Sequence, residues 1–362
     1  MASFDVTGGY NPALDFPLQT KPENPQMRDS ASVWVSDNEG RFGFPRVCIE
    51  AVAGQWDYRG VEANFAFPDG RVLIGSNGYA PKGEPKVVNG KIVTINAGPL
   101  TFEVVEPFRK WVMTFDGPAY DSTVQRSMQG IRTGPSKNIK ARVEMEMGAP
   151  PWVQAGQNSG GQSTVDALGA VGGHRHEQLF RCTGSFAVEG EAERTFNGTG
   201  LAIRRSGVRD VGVFPGHCWL SALFPSGRAF GFNAFPPRED DGTPSYADAY
   251  VVDGGKLIAA KLIEAPWMKK FVPHDGACNV VLETKEHGRI HIEGRTNEST
   301  YICAGNPMFG DWNWPKDAPP ARTAGQPGGG LPFHQGGAKY TWDGESAYGM
   351  IERSYPNERT SI

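Results

Sequence analysis

The chain has 362 residues and a formal net charge of −4. Glycine (47) and proline (28) are abundant but follow no period, and aromatic residues occur along the whole chain, which excludes collagen and argues against general disorder. No run of lysine or arginine is long enough to follow a phosphate backbone, and no apolar run approaches the roughly 20 residues of a membrane-spanning helix. We therefore expect no nucleic-acid partner and no membrane span.

The N-terminus and the cysteines indicate the cellular compartment in which we expect the protein. Residues 1–17 contain no basic stretch followed by an apolar one, so we expect a soluble, unexported protein of the cytoplasm. The five cysteines are an odd number at scattered spacings without a CxxC pair, which favours reduced thiols over a disulfide framework or a zinc knuckle. They are Cys48, Cys182, Cys218, Cys278 and Cys303.

Alternating apolar and polar residues predict β-strands almost everywhere. In the first half they cover residues 32–36, 46–51, 91–95, 100–105, 111–115 and 141–147. In the second half they cover residues 178–189, 229–235, 250–253, 256–262, 279–284 and 289–293. The strand spacing of about ten residues is typical of a sandwich or barrel. One short helix is predicted near residues 122–129, and no glycine-rich nucleotide motif is present, so we expect no cofactor.

Two sequence echoes suggest a duplication. The turn at 67–71 (FPDGR) is repeated at 224–228 (FPSGR), and residues 104–111 are echoed by residues 262–271 at nearly the same offset. The predicted fold class is therefore all-β, with two tandem barrel or sandwich domains packed side by side. Like units usually bind a ligand where they meet or in the mouth of one of them.

Two glycine-rich segments interrupt the strands. Residues 154–173 have the composition of a linker, so we predict an N-terminal domain over 1–155 and a C-terminal domain over 156–362. Residues 306–337 are too long and too rich in Trp, Pro and Gly for a plain connection, and we interpret them as a lid over an apolar ligand. Trp312 and Trp314 would contact that ligand; alternatively, they only attach the loop to the surface.

Three segments resemble a known family. Residues 107–117 (PFRKWVMTFDG), 176–190 (HEQLFRCTGSFAVEG) and 348–352 (YGMIE) look like elements of the two-domain lipocalin-like proteins that include carotenoid 1,2-hydratase and its uncharacterised bacterial relatives. The resemblance implies two lipocalin-like domains, a buried apolar pocket and cofactor-independent acid–base chemistry on isoprenoid-like molecules. Fungal intramolecular Diels-Alderases look similar in architecture, so the fold alone does not fix one reaction.

Residues 204–219 hold the densest cluster of candidate chemistry. The family's Arg-Asp-His-Ser-Trp-Gly type run is respaced here, but Arg205, Arg209, Asp210, His217 and Trp219 supply the same residue types. An apolar pocket can keep a carboxyl protonated near neutral pH, so Asp210 is the first candidate acid or base, with His217 beside it. Alternatively, Asp210 pairs with an arginine to hold a turn. The two arginines and Trp219 would bind substrate, unless Trp219 is a core residue as its repeat counterpart Trp56 suggests.

A second candidate group includes His176 and Glu177. His174 and His176 lie on one face of a predicted strand, so they could chelate a metal with a further ligand such as His217 or His291. No complete ligand set is visible, and we predict no metal; His176 or Glu177 would be a general base or polar anchor. Glu352 would face inward with Tyr348 or an arginine as its partner, and both are predicted at the substrate site.

The sequence therefore predicts a cofactor-independent lyase, hydratase, cyclase or isomerase. Its partner would be an apolar terpenoid, steroid or polyketide-like small molecule. One alternative is a non-catalytic carrier of the same ligand, and another is a carbohydrate-binding β-sandwich that uses Trp152 and Trp312. The sequence does not decide between these classes, and it leaves a homodimer open.

Overall fold

The computed structural model describes residues 4–129, 131–154, 173–208, 216–237, 244–269, 276–303 and 332–354. The first strands are β1 (Met27–Asp37), β2 (Gly43–Val52), β3 (Tyr58–Ala66), β4 (Arg71–Pro81), β5 (Val87–Val88), β6 (Lys91–Ile92), β7 (Thr94–Ala97), β8 (Leu100–Glu106), β9 (Lys110–Thr123), β10 (Ser136–Met147), β11 (Trp152–Val153), β12 (His174–Val188) and β13 (Arg194–Val208). They are followed by β14 (His217–Leu223), β15 (Ala229–Pro237), β16 (Pro244–Asp253), β17 (Lys256–Glu264), β18 (Val280–Thr284), β19 (Gly288–Cys303), β20 (Pro332–Trp342) and β21 (Glu345–Ser354).

Helices are few in the described residues. The short helix α1 (Val124–Met128) begins after Thr123, whose side chain accepts a hydrogen bond from the Arg126 amide, and two 3-10 turns cover Pro12–Leu14 and Ala53–Gln55. None of these helices has the length and apolarity that crossing a membrane requires.

The fold consists of two closed, eight-stranded antiparallel barrels, which confirms the all-β prediction. In the N-terminal barrel the strands follow the order β10-β12-β13-β1-β2-β3-β4-β9, and β9 pairs with β10 to close the ring. Strands β8 and β7 extend this sheet from β9. In the C-terminal barrel, β14 to β21 follow one another in sequence, and β21 returns to pair with β14.

Aromatic side chains fill both barrels. In the N-terminal barrel the ring of Phe65 lies 4.9 Å from that of Phe44 and 5.2 Å from that of Phe186. In the C-terminal barrel Phe230 and Tyr340 meet edge to face at 5.1 Å. Rings at these separations are in the range of favourable aromatic contact, so side chains occupy the interiors at these positions.

The boundary between the two barrels does not coincide with the domain boundary predicted at residue 155. Strands β12 and β13 follow residue 155 but pair with β10 and β1 of the N-terminal barrel, so the boundary lies between Val208 and His217. The glycine-rich composition of residues 154–173 therefore accompanies a connection between two strands of one sheet. The predicted lid, residues 306–337, lies outside the described residues up to 331, and its last part belongs to β20.

The repeated turns have the same geometry. In each, the amide of the phenylalanine donates to the carbonyl of the arginine, at 3.0 Å for Phe67 and 2.8 Å for Phe224. The glycines Gly70 and Gly227 have φ values of 88° and 94°, a region that disfavours residues with a Cβ. The sequence echo thus corresponds to two β-hairpins of one conformation, one in each barrel.

Candidate functional site

The surface between the two barrels is where the strongest candidate residues meet. Side chains alternate along each strand, so Val33 points into the N-terminal barrel while Trp34 points toward the C-terminal barrel. Trp34 meets Trp219 of β14 edge to face, with ring centroids 4.8 Å apart. The apolar residues around this pair form the inter-barrel cluster: Trp34, Ala149, Trp152, Leu179, Leu201, Ile203, Trp219, Leu223, Ala229, Tyr250, Val252 and Met350.

A buried histidine–carboxylate pair lies beside this cluster. On β14, His217 is on the same strand face as Trp219, and its Nε2 is 3.0 Å from Oε1 of Glu352 on β21. The other carboxylate oxygen of Glu352 accepts a hydrogen bond from Nε2 of Gln335 at 2.8 Å. All three residues are buried. The pairing of β14, β20 and β21 in the barrel wall places these three side chains together.

Arg46 connects this pair to a second carboxyl group from the other barrel. Its Nη1 is 3.6 Å from Glu352, its Nε is 3.1 Å from Glu62 on β3, and its guanidinium lies over the ring of Trp34 at 5.5 Å. Glu62 also accepts a hydrogen bond from Asn64 at 2.8 Å. We call His217, Glu352, Gln335, Arg46, Glu62 and Asn64 the inter-barrel network.

The two carboxyl groups of the network differ in their protonation. Burial raises the pKa of Glu62 to about 7, and the charge of Glu352 adds to this, although Arg46 and Arg132 oppose the shift. Burial also acts to raise the pKa of Glu352, but the charge of Arg46 and the interaction with His217 outweigh it and leave the pKa of Glu352 lowered. Near neutral pH the network therefore holds an ionised carboxylate and a carboxyl that can still carry a proton.

Glu177 lies on the other side of Trp219. Its Oε2 accepts a hydrogen bond from the Trp219 indole N–H at 3.1 Å, and its Oε1 is 2.5 Å from Arg175. The Arg175 guanidinium is 5.0 Å from the centre of the Trp219 ring and hydrogen-bonds Gln154. Burial raises the pKa of Glu177 against the opposing charges of Arg175 and Arg205. The predicted residues Glu177, Trp219 and Arg205 thus belong to one group.

His176 belongs to a different environment. It neighbours Glu177 on β12 but points to the opposite face, into the N-terminal barrel, where its Nε2 is 3.1 Å from Asp15. The other oxygen of Asp15 accepts hydrogen bonds from the Phe108 amide at 2.7 Å and the Trp111 indole at 2.8 Å. His176 is therefore separated from His217 and Glu177 by the barrel wall, and its visible role is to hold the N-terminal segment.

Tyr348 also lies apart from Glu352. Its ring packs over Gly40, and its carbonyl accepts a hydrogen bond from the Thr199 hydroxyl at 2.7 Å. Burial raises its pKa, with a further contribution from the charge of Glu298. Tyr348 is thus part of a contact between the β1–β2 turn and the C-terminal barrel. Four other predicted site residues, Arg209, Asp210, Trp312 and Trp314, lie outside the described residues.

Metal and carbohydrate sites receive no support from these positions. Across the part of the chain that the structure describes, no group of three or more His, Cys, Asp or Glu side chains could hold a metal ion. His174 and His176 instead hydrogen-bond each other at 3.1 Å. Trp152, predicted as an exposed glycan platform, is 1% exposed and packs on Tyr250 with ring centroids 5.0 Å apart. That prediction is wrong, because the second barrel covers the strand face on which Trp152 lies.

One groove in the described residues is polar. It has a volume of about 680 Å³ and lies on the outer side of β10, β12 and β13. Its lining includes Asn38, Arg41, Thr183, Ser185 and Asn197, and none of the predicted site residues. It does not have the character of the apolar pocket that the sequence predicted.

Sequence reasoning missed several residues of the site. Arg46, Glu62, Trp34 and Arg175 lie on strands where alternating polar residues indicate a face in water, whereas the second barrel covers that face. Pro45 could have indicated an irregularity of the strand next to Arg46, since proline within a strand marks an edge or a bulge. A second signal was the duplication, which implies that one face of each unit is covered by the other.

Comparisons with known proteins agree with the fold. Residues 11–307 match the family model described as "Domain of unknown function (DUF7064)". The solved structure of the protein named ATTH from Nitrosomonas europaea is similar at 14% identity and a TM-score of 0.52, covering 92% of this chain and 97% of its own. CghA is similar at 11% identity and a TM-score of 0.52, covering 91% of this chain and 88% of its own.

A structure of CghA with Sch210972 gives 12% identity, a TM-score of 0.51 and the same coverage as CghA alone, 91% and 88%. No curated protein matches the chain. At these identities the structures show a shared fold alone. The closer resemblance to carotenoid 1,2-hydratase stays a prediction.

Proposed function

The chain belongs to the DUF7064 family, and from that premise we propose that it is a cofactor-independent enzyme that moves protons on an apolar small molecule between its two barrels. The reaction would be that of a lyase, hydratase, cyclase or isomerase. The observation that carries this proposal is the buried inter-barrel network, in which His217 is paired with Glu352 and linked through Arg46 to Glu62.

His217 is the proposed base. Nε2 of His217 lies 3.0 Å from Oε1 of Glu352, and this contact favours the neutral tautomer that carries its proton on Nε2 and its lone pair on Nδ1. The carboxylate also stabilises the imidazolium that forms when His217 takes a proton, as in other histidine–carboxylate pairs. Gln335 holds the second oxygen of Glu352 and thereby fixes the direction of the pair.

Glu62 is the proposed acid. Burial raises its pKa to about 7, so the carboxyl is partly protonated at neutral pH and can donate to a weakly basic atom. In an isomerisation, His217 would take one proton from carbon and Glu62 would return one at another position, so the number of protons is unchanged. In an elimination, the proton from Glu62 would leave with the departing oxygen.

The apolar substrate class rests on the surroundings of the network. The faces of Trp34 and Trp219 are apolar and can stabilise positive charge that develops on carbon, by roughly 0.5 to 2 kcal/mol per contact. The complex of CghA with Sch210972 supports a small organic molecule as the ligand of this fold. We retain the terpenoid, steroid or polyketide-like class for this chain.

Native mass spectrometry of the purified protein, followed by organic extraction, tests the proposal. An extracted apolar molecule is incubated with fresh apo-protein and with three variants, His217→Ala, Glu62→Gln and Glu50→Gln. Glu50 is the matched control because it is a buried carboxylate on β2 that pairs with Arg28 at 2.9 Å. We expect conversion by wild type and Glu50→Gln, and loss of at least about 100-fold in the other two variants.

Other results would change the assignment. A molecule returned unchanged by wild type identifies a carrier that uses the same surface. Full turnover by both His217→Ala and Glu62→Gln removes these residues from the mechanism and shifts attention to Asp210.

A further inference from the structure

We infer that Arg46 is the positioning residue of the inter-barrel network: its bulged backbone places one guanidinium between two carboxyl groups, which keeps Glu352 ionised and keeps the proton of Glu62 exchangeable. The inference deepens the proposed function and rests on it for its chemical meaning. The geometry and charge that support it are independent of any substrate.

The backbone at Arg46 has an unusual conformation. Its φ is 58°, in the left-handed region, which is strained for a residue with a side chain. Strand β2 has a bulge here: Val47 pairs with Val33 and Phe44 pairs with Val35, so two residues of β2 lie opposite Trp34 alone. Pro45, one of the two, has no amide hydrogen to pair. Such bulges redirect a side chain, and this one directs Arg46 over the Trp34 ring.

The register on the other side of β2 is shifted at the same place. Gly43 pairs with Ala66 and Val47 pairs with Ala63, which brings Glu62 opposite Cys48 and beside Arg46. Burial raises the pKa of Cys48 to about 12, so this thiol stays neutral and adds no charge near the carboxyl groups. The bulge and the register together bring a cation of β2 against an acid of β3.

The two carboxyl groups have unequal partners. Glu352 accepts a hydrogen bond from Gln335 and has Nε2 of His217 at 3.0 Å, in addition to the charge of Arg46. Glu62 receives one from Asn64, whose amide is oriented by Arg132 at 2.9 Å. The charged and titratable groups that act on Glu62 are thus Arg46 from β2, Arg132 after α1 and Glu352 from β21.

One guanidinium cannot fully compensate two buried carboxylates, so one of them has the weaker charge balance. Glu62 is that group even though the charge of Arg132 also acts on it, because Glu352 has the imidazole of His217 at 3.0 Å and the amide of Gln335 at 2.8 Å as direct partners. Arg46 therefore sets how firmly Glu62 holds its proton without itself giving or taking one.

Infrared titration of the carboxyl groups tests this without a substrate. Burial also raises the pKa of Glu298 to about 7, so the experiments use a Glu298→Gln background, which removes that overlapping transition from the one expected for Glu62. The infrared band of the Glu62 carboxyl group is assigned by its absence from the Glu62→Gln variant. Arg46→Gly is the main variant, because glycine suits a φ of 58° and the barrel should keep its fold.

We expect Arg46→Gly to move the Glu62 transition upward by about one to three pH units, the usual effect of an adjacent opposite charge. Arg46→Lys keeps the charge and should move it less. Arg28→Gln combined with Glu50→Gln removes a different buried ion pair and should leave the Glu62 transition in place.

An unmoved transition in folded Arg46→Gly would overturn the inference, and so would an equal shift in Arg46→Lys. The outcome is separable from that of the proposed function. A protein that converts no ligand can still show the Arg46-dependent titration, and an active protein can lack it.

Discussion

Two buried polar groups in this molecule have similar compositions and different balances of charge. The first is the inter-barrel network, in which two carboxyl groups share Arg46. The second lies at one end of the N-terminal barrel, where Arg204 pairs with Asp29 and donates to the carbonyls of Ser30 at 2.7 Å and Phe16 at 2.9 Å. In the second group Asp29 has the charge of Arg204 beside it and also accepts a hydrogen bond from the Leu18 amide at 2.9 Å.

Both carboxylate oxygens of Asp15 also have hydrogen-bond partners. It accepts hydrogen bonds from Phe108, Trp111 and His176, and its carbonyl accepts one from Arg204 at 3.1 Å. These contacts attach the N-terminal segment to the barrel. A balanced group of this kind gains stability from its geometry, whereas an unbalanced one retains a proton that can be exchanged. The difference indicates a structural role for the N-terminal segment around Asp15 and a chemical role for the surface between the barrels.

Removing the arginine of the balanced group should have the largest effect. Arg204→Leu leaves Asp29 buried without its cation, which should lower the free energy of unfolding by about 3 to 5 kcal/mol. Arg46→Gly should cost less, because it relieves the left-handed backbone and leaves Glu62 free to be neutral. Urea denaturation at pH 6 measures both. Equal losses would mean that the two groups do not differ in charge balance.

The pH dependence of stability distinguishes the groups further. The pKa of Glu62 is raised to about 7 in the folded protein from an ordinary value of 4.5, so its contribution to stability is complete below pH 4.5 and is lost as the pH rises through 7. The loss is on the order of 1 to 3 kcal/mol. Glu62→Gln should therefore reduce the decline in urea midpoint between pH 5 and pH 8.

Glu298 contributes to the same decline, because burial raises its pKa to about 7 as well. Glu62→Gln with Glu298→Gln should flatten the curve more than either change alone. Glu50→Gln is the control and should keep the wild-type slope, since Glu50 has the guanidinium of Arg28 beside it. If Glu62→Gln keeps the wild-type slope too, Glu62 is ionised in the folded protein at pH 5, and the proposed acid is lost.

The fold could be predicted from sequence because its signals are local. The alternation at residues 229–235 corresponds to β15, and that at residues 100–105 corresponds to β8. The short helix near residues 122–129 corresponds to α1, which Thr123 caps. An alternation with a period of two predicts a strand, and turn residues predict the hairpin that connects it to the next strand. Antiparallel barrels in which consecutive strands pair are built mainly from such local units.

The site was predictable only in part. His217, Trp219 and Glu352 could be selected by residue type, but their meeting with Arg46 and Glu62 depends on two barrels docking and on the β2 bulge. Glu62 and Asn64 alternate with Val61, Ala63 and Phe65, a pattern that predicts a strand with one face in water. Alternation shows that a face is polar, but it does not show whether water or a second barrel covers it.

The smallest predicted effect tests whether the hydrogen bond from Trp219 to Glu177 contributes to the stability of the fold. Trp219→Phe keeps an aromatic ring and removes the N–H that donates to Glu177, which should cost about 1 kcal/mol beyond the loss of ring area. Trp152→Phe is the matched control: it is equally buried in the inter-barrel cluster, and its indole N–H has no hydrogen-bond partner among the described residues. Thermal unfolding of both variants gives the difference. If Trp219→Phe costs no more than Trp152→Phe, the indole N–H adds nothing to packing, and Glu177 depends on Arg175 alone.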